Sequence, residues 1–444
     1  MRALPVYRGP FGRPQAERLL WRAGFGPKPG EAEKLAAMGL HRAVRSLTRP
    51  GKERLVGPAP KDGDGNPLAP FDAWGHDVLW WLDRMVRTTT PLVERMTLVW
   101  HDWFATSNDG VGSQRLMIRQ NNLFRNLFVG SFHTLLVEVT RDPAMLLWLS
   151  GTDNDKDAPN ENYAREMMEL FTLGAGHGYT EEDVREQARA LTGWRNDWSD
   201  DAGPVNFRYD PDRHDDGVKK IFGKRGRFDW RDSCRLCVEH PAHASFFVQK
   251  LWGYFVPTRP PRVTQRALEA LYKRTGYAVR PVVEAILKHP ALYTGPRMMK
   301  SPVVLTAGML RALRRGIDTD AWTWLGALAG QMVFYPPNVA GWDDDRWLDT
   351  ATFRARWMTA GYALEPYRVS TKKELPEDAA GLVARASSLL NKPSLTPATA
   401  TALRRFAAAA LADADENWKR KQYPSLIENA LRQLIAVSPD FQTC

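Results

Sequence analysis

The chain has 444 residues, 43% hydrophobic, 11% aromatic and 25% charged, a globular balance that excludes a disordered tail or a collagen-like rod. Three cysteines cannot staple so long a chain, and no run approaches the roughly 18 consecutive apolar residues of a membrane span. Lysine and arginine outnumber aspartate and glutamate by 61 to 51, but the +10 charge is dispersed rather than gathered into an aromatic-laced stripe, so nucleic acid is not an expected partner.

The hydrophobic pattern is helical almost throughout, and the expected fold class is all-α. Residues 1–70 read as an N-terminal arm and linker, with helices over 15–25 and 31–48 separated by Gly24-Phe25-Gly26-Pro27. Arg8, Arg13 and Arg18 interrupt any secretory apolar run, so the expected location is the cytoplasm, with export alongside a partner left open. A main domain over 71–365 follows, with helices near 72–87, 91–105, 113–129, 131–140, 160–173 and 181–193. Residues 195–232, rich in Gly, Asp and Lys, read as a long irregular excursion. Helices resume at 233–255, 262–274, 279–288, 301–314, 320–330 and 351–363. A polar bridge over 366–378 leads into an Ala-rich terminal bundle of helices at 380–390, 397–413 and 424–436, so the third domain is 366–444. Cys234-x-x-Cys237 lacks a second pair; His240 is the nearest third ligand for a zinc ion, and two helix thiols are the plainer reading.

Residues 151–200 carry 12 acidic and 5 basic side chains, a local net of −7 in a basic protein. Asn162, Glu166 and Glu169 fall on one face of the 160–173 helix, opposite a core face of Tyr163, Met167 and Leu170. Arg165 is spaced to pair with Glu161 or Glu169, and Thr180 with Asp183 forms a capping box for the next helix. Two readings compete. In one, these charges form an ionic seam between two helices. In the other, crowded carboxylates line a cleft, where raised proton affinity suits them to acid/base work or to a divalent cation. The excess of acid and the amides Asn160 and Asn162 favour the cleft, with Glu166 and Glu169 as acid/base groups or metal ligands and Asn160, Glu161, Asn162 and Asp183 as ligand-orienting groups.

A second set lies upstream: His101 on the 91–105 helix as a proton carrier, Asn121 as an orienting amide and Arg125 as an anion anchor beside Arg165. His214, in His214-Asp215-Asp216, belongs to a polar cluster that could close over a site as a lid. Trp342, in the rigid YPPNVAGWDDDRW segment, is either a ligand platform or a plug between helices. The sequence contains no nucleophile elbow, phosphate-binding loop or His-Glu-x-x-His motif.

WHDWFATS at 100–107, DPAMLLWL at 142–149, NENYAREMMELFTLG at 160–174, HPAHASFFVQKLWGYFV at 240–256 and LGALAGQMVFYPPNVAGWDDDRW at 325–347 together resemble the DUF1800 family, whose activity is unassigned. The resemblance implies a mostly helical, often bacterial protein encoded beside a DUF1501-type, sulfatase-like protein, which is then the expected partner. Relatives often carry export signals and usually a Glu where this chain has Val303, so a carboxylate role at that position is not expected here. The functional expectation is an acid/base or metal-assisted hydrolytic cleft; the alternative is a non-catalytic binding or assembly partner.

Overall fold

A computed structural model describes residues 4–371, 378–414 and 416–444. The protein is mostly helical, with 23 helices and two small two-stranded sheets among the described residues. The expected helices form, with instructive breaks. The 31–48 pattern divides into Glu31–Met38 and Leu40–Thr48 because Gly39 adopts φ +72°, a left-handed conformation natural to glycine. The 233–255 pattern divides into Trp230–Glu239 and His243–Gly253 around His240-Pro241. Within the bridge expected over 366–378, residues 372–377 lie outside the described residues.

The irregular excursion expected over 195–232 is instead structured. Trp194–Ser199 pairs antiparallel with Gly203–Tyr209, and Lys219–Ile221 with Lys224–Gly226. The first hairpin is half-exposed and carries a register shift between Arg195 and Asp197, so it lacks the clean apolar alternation that marks a strand.

Two large apolar clusters form the core. One centres on Trp100, Trp103, Phe132 and Phe247. The other joins Trp81, Val304 and Trp322 to the C-terminal helices through Leu382, Leu403 and Leu431. Each fully buried large side chain contributes on the order of 2–3 kcal/mol. Helix Pro91–Trp103 runs between the clusters: Val99 packs into the first and its neighbour Leu98 into the second. Among the described residues, no helix is long and apolar enough to cross a membrane.

Candidate functional site

The acidic helix carries an ionic seam. Helix Asn162–Glu166 runs on into a π-helical turn, Met167–Thr172. Arg165 grips Glu181 with both terminal nitrogens (3.0 and 2.7 Å), reaches Glu161 at 3.0 Å and lies 3.6 Å from Glu169. Arg189 holds Glu186 at 2.7 Å and Asp215 at 2.6 Å. Glu166 is half-buried; burial and then the Glu169 charge raise its proton affinity. The Asn160 amide serves the backbone, its Oδ1 accepting from the Asn162 N–H, and Asn162 itself is exposed. Asp183 completes the capping box with Thr180 and accepts from the Phe222 N–H at 2.7 Å. Among the described residues, no group of three or more His, Cys, Asp or Glu side chains is placed to hold a metal ion.

The upstream set is likewise engaged in structure. Arg125 forms a fork with buried Glu94 (2.6 and 2.9 Å) and donates to the Asn121 and Asn122 amide oxygens. Its charge is therefore neutralised internally and does not fit an anion anchor. His101 is buried, burial lowers its pKa to about 3, and its Nε2 accepts from the Phe334 N–H at 3.0 Å. A neutral imidazole already occupied in this way does not fit the expected proton carrier. His214 is tied to Thr192 and lies against the Tyr209 ring. Cys234 and Cys237 are buried beside Thr140 and Gln187, while His240 bonds to the Gly178 carbonyl.

A recess of about 280 Å³ opens where helix Pro91–Trp103 meets helix His243–Gly253 and the 331–347 segment. Arg95, Val99 and Asp102 line it at i, i+4 and i+7, one helical face. Lys250 and Tyr254, again four residues apart, supply the second wall; Trp342, Asp344 and Trp347 supply the third. Of the residues singled out in the sequence, Trp342 lines the recess, and His101 packs against its ring at 5.4 Å.

The recess is held firmly. Tyr254 donates to Asp102 Oδ2 at 2.6 Å and the Trp342 N–H donates to Oδ1 at 3.1 Å. Gly341, at φ +92°, lets the 341–342 backbone come close: a Cβ there would lie 2.4 Å from Asp102 Oδ1. Buried Arg356 ties the Trp347 carbonyl (2.7 Å) to that of Lys300 (3.0 Å), fixing the Asp344–Leu348 turn beside Ser301. Lys250 donates to the Leu170 carbonyl at 2.9 Å and lies 4.8 Å from the Trp103 ring centre.

The charges have unusual surroundings. Burial lowers Lys250 to about 8, with Asp102 opposing the shift. Burial raises Asp102, against the bonds from Tyr254 and Trp342, and lowers Arg95. At the mouth, partial burial and then the Asp102 charge raise Asp344, although its outer side is exposed. Arg95 is 9% exposed; among the described residues it makes one long hydrogen bond, to the Tyr254 carbonyl (3.5 Å), and its Nε is without a partner. Buried Ser301 Oγ and Trp347 Nε1, on residues that also line the recess, are likewise without a partner among the described residues.

Three segments that carry the family resemblance, 100–107, 240–256 and 325–347, contribute to this one recess. A family model described as "Protein of unknown function (DUF1800)" matches residues 18–443. The chain belongs to the DUF1800 family. Neither the curated proteins nor the solved structures include a significant match to it. Sequence reading missed Arg95, Asp102, Lys250 and Tyr254 as a set. The available signal was charge at helical spacing on otherwise apolar faces, such as Arg95 and Asp102 flanking Leu98 and Val99.

Proposed function

We propose that the recess binds a small molecule through an oxyanion group and supports acid/base chemistry on it. The observation that carries this reading is two cations on the walls of one recess, buried Arg95 and half-buried Lys250, without an ion-pair partner within 4.0 Å among the described residues. A desolvated cation without a direct ion pair is costly, so such a pair favours an anionic ligand. The unpartnered donor groups of Arg95, Ser301 and Trp347 add to the preference for an acceptor. In this reading Arg95 binds the anion, Lys250 and Asp102 exchange the proton, and Tyr254 orients Asp102. Acid/base chemistry thus moves from the Glu166–Glu169 helix to this recess, and a metal-assisted version has no group of three His, Cys, Asp or Glu ligands behind it among the described residues.

Calorimetric titration with acetate, benzoate and inorganic phosphate tests the reading. Saturable binding of at least one oxyanion is expected, weakened at least tenfold in Lys250→Met at an unchanged unfolding midpoint. Indifference of the folded wild-type protein to all three would refute it.

A second reading, assembly with a DUF1501-type partner, is favoured by one observation. Helices Ala321–Leu328 and Thr350–Leu364 pack together and leave Trp324, Leu328, Phe353, Trp357 and Tyr362 exposed. Co-elution of the two purified proteins, lost in Trp357→Glu, is the expected result.

A further inference from the structure

The recess does not end at its mouth. It shares Lys250, Gly253, Met298, Met299, Asp344 and Trp347 with an outer cleft of about 850 Å³. The recess alone falls just below the usual size of a small-molecule pocket, roughly 300–1,000 Å³, so a ligand seated there has room to continue outward. We infer that the ligand is a monocarboxylate with an apolar extension, its head between Arg95 and Lys250 and its tail in the outer cleft. The inference rests on the oxyanion reading above and adds the class of molecule.

Charge decides the head. Asp102 and Asp344 share the recess with Arg95 and Lys250, so its net charge is near balance. For a phosphate dianion both the attraction to the cations and the repulsion from the acids double, while the cost of desolvating it grows with the square of its charge, so a site near balance favours the singly charged carboxylate. Surface chemistry decides the tail. Phe246, Trp252, Val256 and Pro257 give the outer cleft an apolar wall, and Met298 and Met299 form a pliant neck that adapts to tails of different shape.

The test is a displacement titration of the full-length protein with acetate, butyrate, 3-phenylpropionate, 6-phenylhexanoate and inorganic phosphate. Affinity is expected to rise about fourfold for each methylene added, and at least about a hundredfold from acetate to 6-phenylhexanoate. Phosphate is expected to bind more weakly than 3-phenylpropionate. Met299→Ala, at the neck, is expected to reduce the gain from lengthening. Equal affinity across the carboxylates would overturn the tail while leaving the oxyanion recess standing. Tighter phosphate than carboxylate binding would overturn the head assignment. Binding of none of the five would remove both this inference and the reading beneath it.

Discussion

Two buried carboxylates on adjacent helices, Glu94 and Asp77, are expected to respond oppositely to loss of charge. Glu94 is fully buried; its Oε1 accepts from Arg84 (3.0 Å) and Arg125 (2.6 Å), and its Oε2 from Arg125 (2.9 Å) and the Trp81 indole (3.0 Å). Burial alone would raise its pKa, but the Arg125 and Arg84 charges outweigh it and hold the carboxyl below its ordinary value. Glu94→Gln therefore leaves the Arg125 guanidinium without its carboxylate, while Arg84 keeps Glu53, at a cost of about 3–5 kcal/mol. Asp77 is also fully buried, yet neither oxygen has a partner of ordinary geometry, and burial raises it to about 6. The folded state holds this proton more tightly than the unfolded chain. The Asp77 contribution is thus intact below the ordinary carboxylate pKa, lost as pH rises to about 6, and costs about 3 kcal/mol above that. Asp77→Asn should stabilise the protein at pH 7.5 by up to about that amount and do little near pH 4. Urea unfolding at both pH values, followed by tryptophan fluorescence, reads each effect as a midpoint shift. A destabilised Asp77→Asn at pH 7.5, or a neutral Glu94→Gln, would refute the reasoning.

Gly341→Ala should cost about 1–3 kcal/mol by thermal denaturation and weaken oxyanion binding, since its Cβ collides with Asp102 and requires a left-handed backbone. Oxyanion affinity should decline as pH rises through about 8, where Lys250 loses its proton, and in Lys250→Arg that decline should disappear from calorimetric titrations. Burial raises both the Cys234 and Cys237 thiols, the former to about 12, so Ellman's reagent should label Cys444 alone in the native protein and all three after denaturation. Arg165→Ala should lower stability by about 1 kcal/mol or less, because its carboxylate partners are partly exposed; a loss above about 3 kcal/mol would contradict a surface seam.

Helices were legible because apolar spacing reports a buried face directly. Their breaks at Gly39 and Pro241 were marked by residue type, yet the apolar period continues across both. The first hairpin was illegible for the opposite reason: half-exposed strands such as Arg195-Asn196-Asp197 leave no apolar period. At the acidic helix, counting charges one against one overstated the free acid, since Arg165 engages three carboxylates. The recess was harder still. Arg95 and Asp102 stand 148 or more residues before Lys250, Tyr254 and Asp344, and no spacing rule joins segments that only the fold brings together.

The contrast between paired and unpaired cations connects the acidic segment to the recess after all. Arg125, Arg165 and Arg189 each meet carboxylates, which spends their charge inside the protein. Lys250 instead meets the Leu170 carbonyl and the faces of Trp103 and Phe246. That carbonyl belongs to the π-helical turn, whose Phe171 and Thr172 carbonyls also accept from Trp103 Nε1 (3.0 Å) and His243 Nδ1 (2.9 Å). A π turn changes the direction of its outgoing carbonyls, and here three successive ones receive donors from the two helices that wall the recess. Neutral dipoles of this kind hold an ammonium group in position without cancelling it. A carboxylate at the same place would hold Lys250 equally well and leave nothing for a ligand. The specific Asn160–Gly174 block therefore serves the recess through its backbone, while its own charged side chains close the seam on the other side.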